Sequence, residues 1–228
     1  MIMKEPVLVC WSGGKDSSLA LREILDSGRY EVAALLTTVT AGYDRISMHG
    51  VRSALLDQQA AALGLPLRKV TISPGATNAE YEAAMHAALL DYKSQGITTV
   101  VFGDLFLEEI RKYRDRMLGE IGMTALYPVW GLNTAQLARD FIGMGFQAVL
   151  VCVDPKQLDE KFAGRFFDQA LLADLPPTAD PCGENGEFHT FVFAGPIFKH
   201  PVKVEKGEVV TRSSFCFCDL LPVAADAV

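Results

Sequence analysis

The sequence lacks the features of disulfide-rich, membrane-spanning and broadly nucleic-acid-binding proteins. Its five cysteines are an odd, scattered set without a Cys-x-x-Cys pair, so neither a disulfide framework nor a zinc knuckle is indicated. The formal net charge of -7 argues against a broad electrostatic grip on nucleic acid. No apolar run approaches the roughly 20 residues of a membrane-spanning helix, and no basic stretch followed by a long apolar run opens the chain. We therefore expect a cytoplasmic globular protein.

The first two thirds of the chain alternate short apolar runs with longer helical patterns. Buried strands are predicted at 6–11, 31–38, 67–72, 98–102, 125–129 and 147–153. Helices are predicted between them, at 16–27, 51–63, 78–94, 108–121 and 134–144. This alternation predicts an α/β fold with a doubly wound, mainly parallel sheet. In such a sheet, ligands bind at the carboxyl ends of strands near the switch in strand order.

The pattern changes after about residue 155, where loop-like sequence is followed by alternating segments at 187–193, 201–205 and 208–217. Lys206-Gly207, between two of these segments, is predicted to form a hairpin turn. The sequence therefore predicts a first domain over residues 1–154 and a smaller C-terminal α+β appendage over 155–222.

The strongest motif is Ser12-Gly13-Gly14-Lys15-Asp16-Ser17, which stands directly between the first strand and its helix. Glycines let the backbone approach a phosphate, and successive N–H groups with the helix N-terminus can bind an anion. Ser12 and Ser17 add hydroxyl donors, Lys15 can neutralise phosphate charge, and Asp16 can hold Mg²⁺. The spacing is neither that of a Walker A loop nor that of G-x-G-x-x-G. The alternative is an ordinary glycine-rich turn.

This loop resembles the PP-loop of the ATP pyrophosphatase superfamily, whose fold is a HUP-type doubly wound sheet. The resemblance implies that ATP is cleaved between its α- and β-phosphates and that a carboxylate, amide or ring carbonyl is adenylated. It also implies that residues 12–17 hold the departing pyrophosphate. The residues agree with this, because an anion nest with Mg²⁺ stabilises charge on a leaving group.

A second informative segment, at 180–192, reads DPCGENGEFHTFV. Its glycines allow a tight turn that brings the carboxylates of Glu184 and Glu187 near each other. Glu187 and His189 share a face if the segment is extended. A carboxylate pair could bind ammonium and take its proton, which gives the amine that attacks an acyl adenylate. The alternative is a structural turn whose glutamates cap backbone N–H groups or lie in water, and no role is assigned to Cys182.

The sequence CGENGEFHTF, together with SGGKDS and Gly103-Asp104, resembles the diphthine–ammonia ligase family (the ATP-binding domain 4 group). The resemblance extends from the first strand to about residue 198. It implies diphthamide biosynthesis: adenylation of the carboxylate of diphthine on elongation factor 2, then displacement of AMP by ammonia. ATP, Mg²⁺ and ammonium are the implied ligands. Elongation factor 2 is the implied protein partner if the source is archaeal or eukaryotic, and a homodimer is left open.

The catalytic candidates are therefore Lys15, Asp16, Glu184, Glu187 and His189. The ATP-binding candidates are residues 12–17, with Asp16 on the metal, and Gly103 and Asp104 after the fourth strand. Gly103 can let a ribose or adenine approach, and Asp104 can bond a hydroxyl or orient Mg²⁺. The alternative for Asp104 is to cap the following helix.

Three further residues are candidates for substrate binding. Arg111 and Arg114 lie on adjacent turns of one predicted helix and could grip an α-phosphate or an acidic substrate. The alternative is a solvated helix face carrying Glu108–Lys112 and Arg111–Asp115 pairs. His49 follows the second strand at the ligand-facing edge, although a lone histidine is more often structural.

Other functions remain open. A regulatory protein that binds or hydrolyses adenine nucleotides would share the loop but would have no need of an ammonium site. An amide ligase acting on another small carboxylate is expected if the source is bacterial. Modification of a tRNA base is a third reading, against which the acidic composition and the absence of paired cysteine chemistry both count.

Overall fold

The computed structural model describes residues 3–42, 45–46, 50–212 and 214–223. Its helices are α1 (Lys15–Ser27), α2 (Ser53–Leu63), α3 (Asn78–Lys93), α4 (Glu108–Glu120), α5 (Thr134–Gly143) and α6 (Gln169–Asp174). Its strands are β1 (Glu5–Cys10), β2 (Tyr30–Thr40), β3 (Arg45–Ile46), β4 (Leu67–Ile72), β5 (Thr99–Val101), β6 (Thr124–Leu126), β7 (Gln147–Val153), β8 (Phe188–Ala194), β9 (Val204–Arg212) and β10 (Phe215–Pro222). Among the helices described here, none is long and apolar enough to span a membrane.

The chain forms two compact units. Counting described residues, the first unit holds 3–12, 16–42, 45–46 and 65–131, and the second holds 13–15, 50–64, 132–212 and 214–223. The loop after β1 thus contributes residues 13–15 to the second unit, while Ser12 and Asp16 belong to the first.

The first unit is built on a parallel sheet in the order β4-β2-β1-β5-β6, with the short β3 antiparallel to the end of β2. The chain runs outward from β1 to β2 and β4, then returns to the other side of β1 for β5 and β6. The switch in strand order therefore lies between β1 and β5, which is where sheets of this kind bind ligands. The predicted doubly wound, mainly parallel sheet is confirmed.

Burial explains why the central strands are apolar throughout. Val7, Leu8 and Val9 of β1 have no exposed surface, as expected for a parallel strand covered on both faces. Helices α3 and α4 supply one side of the core, where Leu89 and Leu118 join Leu8 in one cluster. α3 begins with a capping box, in which the side chains of Thr77 and Glu80 each accept from the other's backbone N–H, and this satisfies donors at its first turn.

The second unit contains an antiparallel sheet in the order β8-β7-β10-β9. Its central strand β7 is buried from Ala148 to Val153, and Phe188 and Phe191 of β8 are buried as well. α2, α5 and α6 complete this unit. The predicted C-terminal α+β region is confirmed by this antiparallel sheet and its helices, while the domain bounds 1–154 and 155–222 stay a prediction.

Two local predictions were wrong. The run at 147–153, predicted as a strand of the parallel sheet, is β7 of the antiparallel sheet. A fully apolar run predicts a buried strand but does not indicate which sheet that strand joins. Lys206-Gly207 lies inside β9 and is not a hairpin turn. Lys206 pairs with Leu220 and Val209 with Cys218, so Gly207 belongs to a bulge, where a strand tolerates glycine.

Candidate functional site

The glycine-rich loop follows β1 directly, and α1 begins at Lys15, so the predicted strand–loop–helix arrangement is present. Asp16 and Ser17 stand in the first turn of α1. The hydroxyl oxygens of Ser12 and Ser17 lie 3.2 Å apart. These residues of the first unit are therefore gathered at the carboxyl end of β1, beside the switch in strand order.

Gly103 lies two residues beyond the end of β5 and approaches the start of α1 closely. A Cβ atom at Gly103 would lie 2.7 Å from the carbonyl carbon and oxygen of Asp16 and 2.8 Å from the nitrogen of Ser17. Because these are backbone atoms, they cannot move aside as a flexible side chain would. The observed reason for glycine here is contact with α1, and the predicted approach of a ribose or adenine stays a prediction.

Asp104 and Arg114 form an ion pair in the first unit. Arg114 Nη2 donates to Asp104 Oδ1 at 3.1 Å, and Nε lies 2.8 Å from Oδ2. The guanidinium centre also lies 4.3 Å from the centre of the Phe102 ring. The N-cap of α4 is Leu107, so the capping alternative for Asp104 is wrong. Any contact of Asp104 with a hydroxyl or Mg²⁺ would have to compete with Arg114.

Arg111 has a different environment, made of aromatic rings. Its guanidinium centre lies 5.0 Å from the Tyr127 ring and 4.7 Å from the Trp130 ring, and its Nε lies 3.8 Å from Asp115 Oδ2. The solvated pair Glu108–Lys112 is present as well, at 3.9 Å. Both ion pairs that the solvated-helix alternative predicts are therefore present. Binding of a substrate by Arg111 or Arg114 remains a prediction.

In the second unit, Gly13 and Lys15 lie along β8. The N–H of Val192 donates to the carbonyl oxygen of Gly13 at 2.9 Å. The N–H of Lys15 donates to Thr190 Oγ1 at 3.0 Å. The N–H of Lys15 is therefore already bonded to a hydroxyl. The successive N–H groups of this loop do not all point to one anion site in this structure.

Gln59 of α2 is the third contact of this loop. Its Nε2 donates to the carbonyl oxygens of Gly13, at 3.0 Å, and Val192, at 2.6 Å. Sequence reasoning missed both Gln59 and Thr190. The signal for Gln59 was a glutamine on the apolar face of a predicted helix, next to Leu55, Leu56 and Ala60.

The side chain of Lys15 is buried, with 2% of the residue exposed. Its Nζ lies 5.7 Å from the centre of the Phe188 ring. A buried ammonium group is costly unless neighbouring groups compensate its positive charge. The electron-rich face of an aromatic ring provides part of that compensation. The predicted contact of Lys15 with phosphate stays a prediction.

The acidic turn before β8 is organised by Asp180. Its Oδ1 accepts from the N–H groups of Cys182, at 2.9 Å, and Glu184, at 3.3 Å, while its Oδ2 accepts from the hydroxyl of Thr134 at 2.6 Å. Asp180, to which sequence reasoning gave no role, therefore caps two backbone N–H groups of this turn. Glu187 also caps a backbone N–H, that of Asp180, as the structural alternative for this turn predicts.

Glu187 is buried, with 2% of the residue exposed. Its Oε1 accepts from the N–H of Asp180 at 2.7 Å and from the side-chain amide of Asn185 at 3.2 Å. Its Oε2 is also buried, and among the described residues it has no hydrogen-bond partner. A buried carboxylate oxygen without a donor is costly, so this atom marks a place where a cationic or N–H-bearing group would be stabilised.

His189 follows on β8 and is held in its neutral form. Burial, and secondarily the nearby positive charge of Lys15, lower the pKa of His189 to about 4. Its imidazole is therefore uncharged at neutral pH, where it can accept a proton or donate its single N–H but carries no positive charge.

Three cysteines and one histidine remain to be placed. Cys182 is buried and its thiol donates to the carbonyl oxygen of Thr134 at 3.4 Å. Burial raises the pKa of the Cys10 and Cys152 thiols to about 12, so both are inert packing groups at neutral pH, as expected for core cysteines. His49 lies outside the described residues. No cluster of three or more His, Cys, Asp or Glu side chains suited to a metal occurs in the described part of the chain.

A glycine-rich loop that leads from β1 into α1 at the switch point of a doubly wound sheet defines a nucleotide-binding α/β protein. Comparison with known families is more specific. Residues 3–125 match the diphthamide synthase N-terminal domain, and residues 133–222 match the diphthamide synthase C-terminal domain. The chain belongs to the diphthamide synthase family, which confirms the resemblance seen in the sequence.

Curated relatives agree with this assignment. The chain is 26% identical to the diphthine–ammonia ligases of Bos taurus and Homo sapiens, over 93% of its own length and 86% of theirs. It is 25% identical to the diphthine–ammonia ligase of Schizosaccharomyces pombe over 94% of its own length and 38% of that protein. The chain is therefore an enzyme of the ligase class, and membership of this family implies ATP as its energy source.

Proposed function

We propose that this enzyme forms an amide by adenylating a carboxylate with ATP, releasing pyrophosphate, and letting ammonium-derived ammonia displace AMP. Diphthine, which the names of the relatives join to ammonia, is the proposed carboxylate. Elongation factor 2 is the proposed carrier of that group. In this proposal, residues 1–154 carry the ATP-binding loop, and residues 155–222 carry the site for the acceptor and ammonium.

The observation that carries the ATP half is the position of residues 12–17 at the sheet's switch point. A helix N-terminus there favours phosphate through its N–H groups and dipole, and Lys15 adds a positive charge. Such an arrangement stabilises negative charge on departing pyrophosphate.

The expected Mg²⁺ fits the donor set at the start of α1. Asp16 offers one half-buried carboxylate there, and Mg²⁺ in nucleotide sites takes one or two carboxylates, with phosphates and waters as its other ligands. When bound, the ion would neutralise charge on the phosphates. Asp104 is the less suitable ligand because its carboxylate already pairs with Arg114.

The ammonium half rests on Glu187. Its buried Oε2, without a donor among the described residues, is suited to accept a hydrogen bond from ammonium and then a proton from it. Glu184 is proposed to assist as the second carboxylate of the turn. His189 is neutral and is proposed to orient the reactant or relay its proton.

An isotope experiment tests the reaction class. Acceptor carboxylate labelled with ¹⁸O should transfer one ¹⁸O atom to AMP during turnover with ATP and ammonium, because the oxygen that attacks the α-phosphate leaves with AMP. ADP as the nucleotide product, or AMP without label, would contradict adenylation. Nucleotide binding with no acceptor-dependent pyrophosphate would favour the regulatory alternative, and turnover with a small carboxylate but not with diphthine would favour the other ligase.

Glu187→Gln tests the ammonium site. In a single turnover, the variant should release pyrophosphate at a near-normal rate but form amide at least about 10-fold more slowly, as general base catalysis contributes about 10²–10⁴-fold. Quantifying pyrophosphate and amide in the same reaction separates the two steps. Glu160→Gln, an exposed glutamate of the same unit, is the matched control. Equal loss of both steps in Glu187→Gln would place this residue elsewhere in the mechanism.

A further inference from the structure

β8 ends its sheet, so one of its edges is not covered by a neighbouring strand. β7 is its partner on one side, and the backbone groups of the other edge need partners of another kind. At Val192 both groups are satisfied from outside the sheet: the N–H donates to Gly13, and the carbonyl oxygen accepts from Gln59. The loop at 13–15 and one side chain of α2 thus occupy this edge.

The spacing of the contacts is regular. Val192 holds Gly13, and Thr190, two residues earlier on β8, holds the amide of Lys15, two residues later in the loop. The first contact is made by the backbone N–H of Val192 and the second by the side-chain hydroxyl of Thr190. Thr190 is 3% exposed and Lys15 is 2% exposed, so water competes little for this bond.

Gln59 is a second contact of Gly13, beside the N–H of Val192. It is completely buried, and its amide nitrogen has two hydrogens for the two carbonyl oxygens that it contacts. Gly13 has φ of +77°, and a Cβ atom there would lie 2.7 Å from Gln59 Oε1. Only glycine therefore leaves room for the Gln59 side chain at this position. The hydrogen bond from Gln59 supports the left-handed backbone conformation of Gly13.

We propose that Thr190 and Gln59 are positioning residues for the β- and γ-phosphates of ATP, because they hold the backbone of residues 13–15 in its phosphate-binding conformation. This inference rests on the proposed ATP chemistry. Neither residue touches a reactant in this proposal. Both act through Gly13 and Lys15, so their loss weakens binding of the phosphates that this loop holds and spares binding of AMP.

Thr190→Val is the sharpest test, since it removes the acceptor and keeps the shape, while Thr190→Ser restores a hydroxyl. Calorimetry measures binding of three probes with Mg²⁺ present: inorganic pyrophosphate, AMP, and an ATP analogue with methylene between the α- and β-phosphates. Thr190→Val should bind pyrophosphate and the analogue about 10-fold more weakly, which corresponds to about 1.4 kcal/mol. AMP affinity should be unchanged, and Thr190→Ser should recover most of the loss.

Gln59→Leu is the second variant, and it provides an independent test if Thr190→Val does not fold. Gln58→Leu, at the neighbouring half-buried position of α2, is its matched control. A folded Thr190→Val or Gln59→Leu that binds all three probes like the unmodified protein overturns the inference, and so does an equal loss for AMP and pyrophosphate. If the unmodified protein binds neither the ATP analogue nor pyrophosphate, the proposed ATP chemistry fails and this inference fails with it.

Discussion

The low pKa of His189 makes protein stability depend on pH in a way that can be calculated. Burial and then Lys15 lower the pKa from its ordinary 6.5 to about 4 in the folded protein. The unfolded chain therefore binds the proton more readily than the folded one, and stability falls as the pH drops from about 6.5 towards 4. From these two pKa values, His189 alone should cost the folded state about 2 kcal/mol at pH 5 relative to pH 8.

Urea unfolding at pH 8, 7, 6 and 5 measures this effect. Carboxylates that titrate in the same range change the stability as well, so the quantity of interest is a difference between proteins. His189→Asn removes the titrating ring, and its free energy of unfolding should fall about 2 kcal/mol less between pH 8 and 5 than that of the unmodified protein. His200→Asn, at an exposed histidine of the same unit, is the matched control.

A direct titration checks the cause. The imidazole resonance of His189 should titrate near pH 4, and Lys15→Met should raise its midpoint because one of the two causes is removed. Parallel unfolding curves for His189→Asn and the unmodified protein from pH 8 to pH 5 would refute the reasoning. A midpoint above 6 in the folded protein would refute it independently.

The first unit yields two further predictions about stability, measured by urea unfolding. Gly103→Ala should lose about 1–3 kcal/mol because its Cβ would press on the backbone of α1, whereas Gly119→Ala on α4, which has open space, should gain about 0.5 kcal/mol. An unchanged Gly103→Ala would show that α1 moves aside freely. Asp104→Asn should lose about 2 kcal/mol because it leaves the partly buried Arg114 without its anion. Arg116→Gln, with a side chain that is 51% exposed, should lose less than about 1 kcal/mol, and equal losses would contradict this account.

The parallel sheet was predictable from sequence because its signal is local. A strand such as β1, buried on both faces, reads as a continuous apolar run, and a helix such as α3 has its own start signal in Thr77 and Glu80. Pairing is not local in this sense. β7 has the same apolar character as β1, and only its partners β8 and β10 make it a strand of the other sheet.

The sequence indicates a candidate site only where one continuous segment carries its residues. The loop at 12–17 and the turn at 180–189 can each be recognised in the sequence, because each combines glycines with charged residues. Contacts between distant segments leave no such mark: Gln59 meets Gly13 across 46 positions, and Lys15 meets Thr190 across 175. Asp104 and Arg114 were each singled out as ligand groups, yet their opposite charges on adjacent elements were sufficient reason to expect them to pair.

In the second unit, the residues proposed for ammonium binding and for ATP positioning lie in one stretch of chain at β8. Glu187 stands immediately before β8, while Thr190 and Val192 hold the loop from within it. A strand advances about 3.3 Å per residue, so Glu187 and Thr190 lie roughly 10 Å apart along its direction. Their hydrogen-bond partners differ as well: Glu187 accepts from Asp180 and Asn185, whereas Thr190 accepts from the amide of Lys15. Changes at Glu187 should therefore act on amide formation and changes at Thr190 on ATP binding, although both residues belong to one stretch of chain.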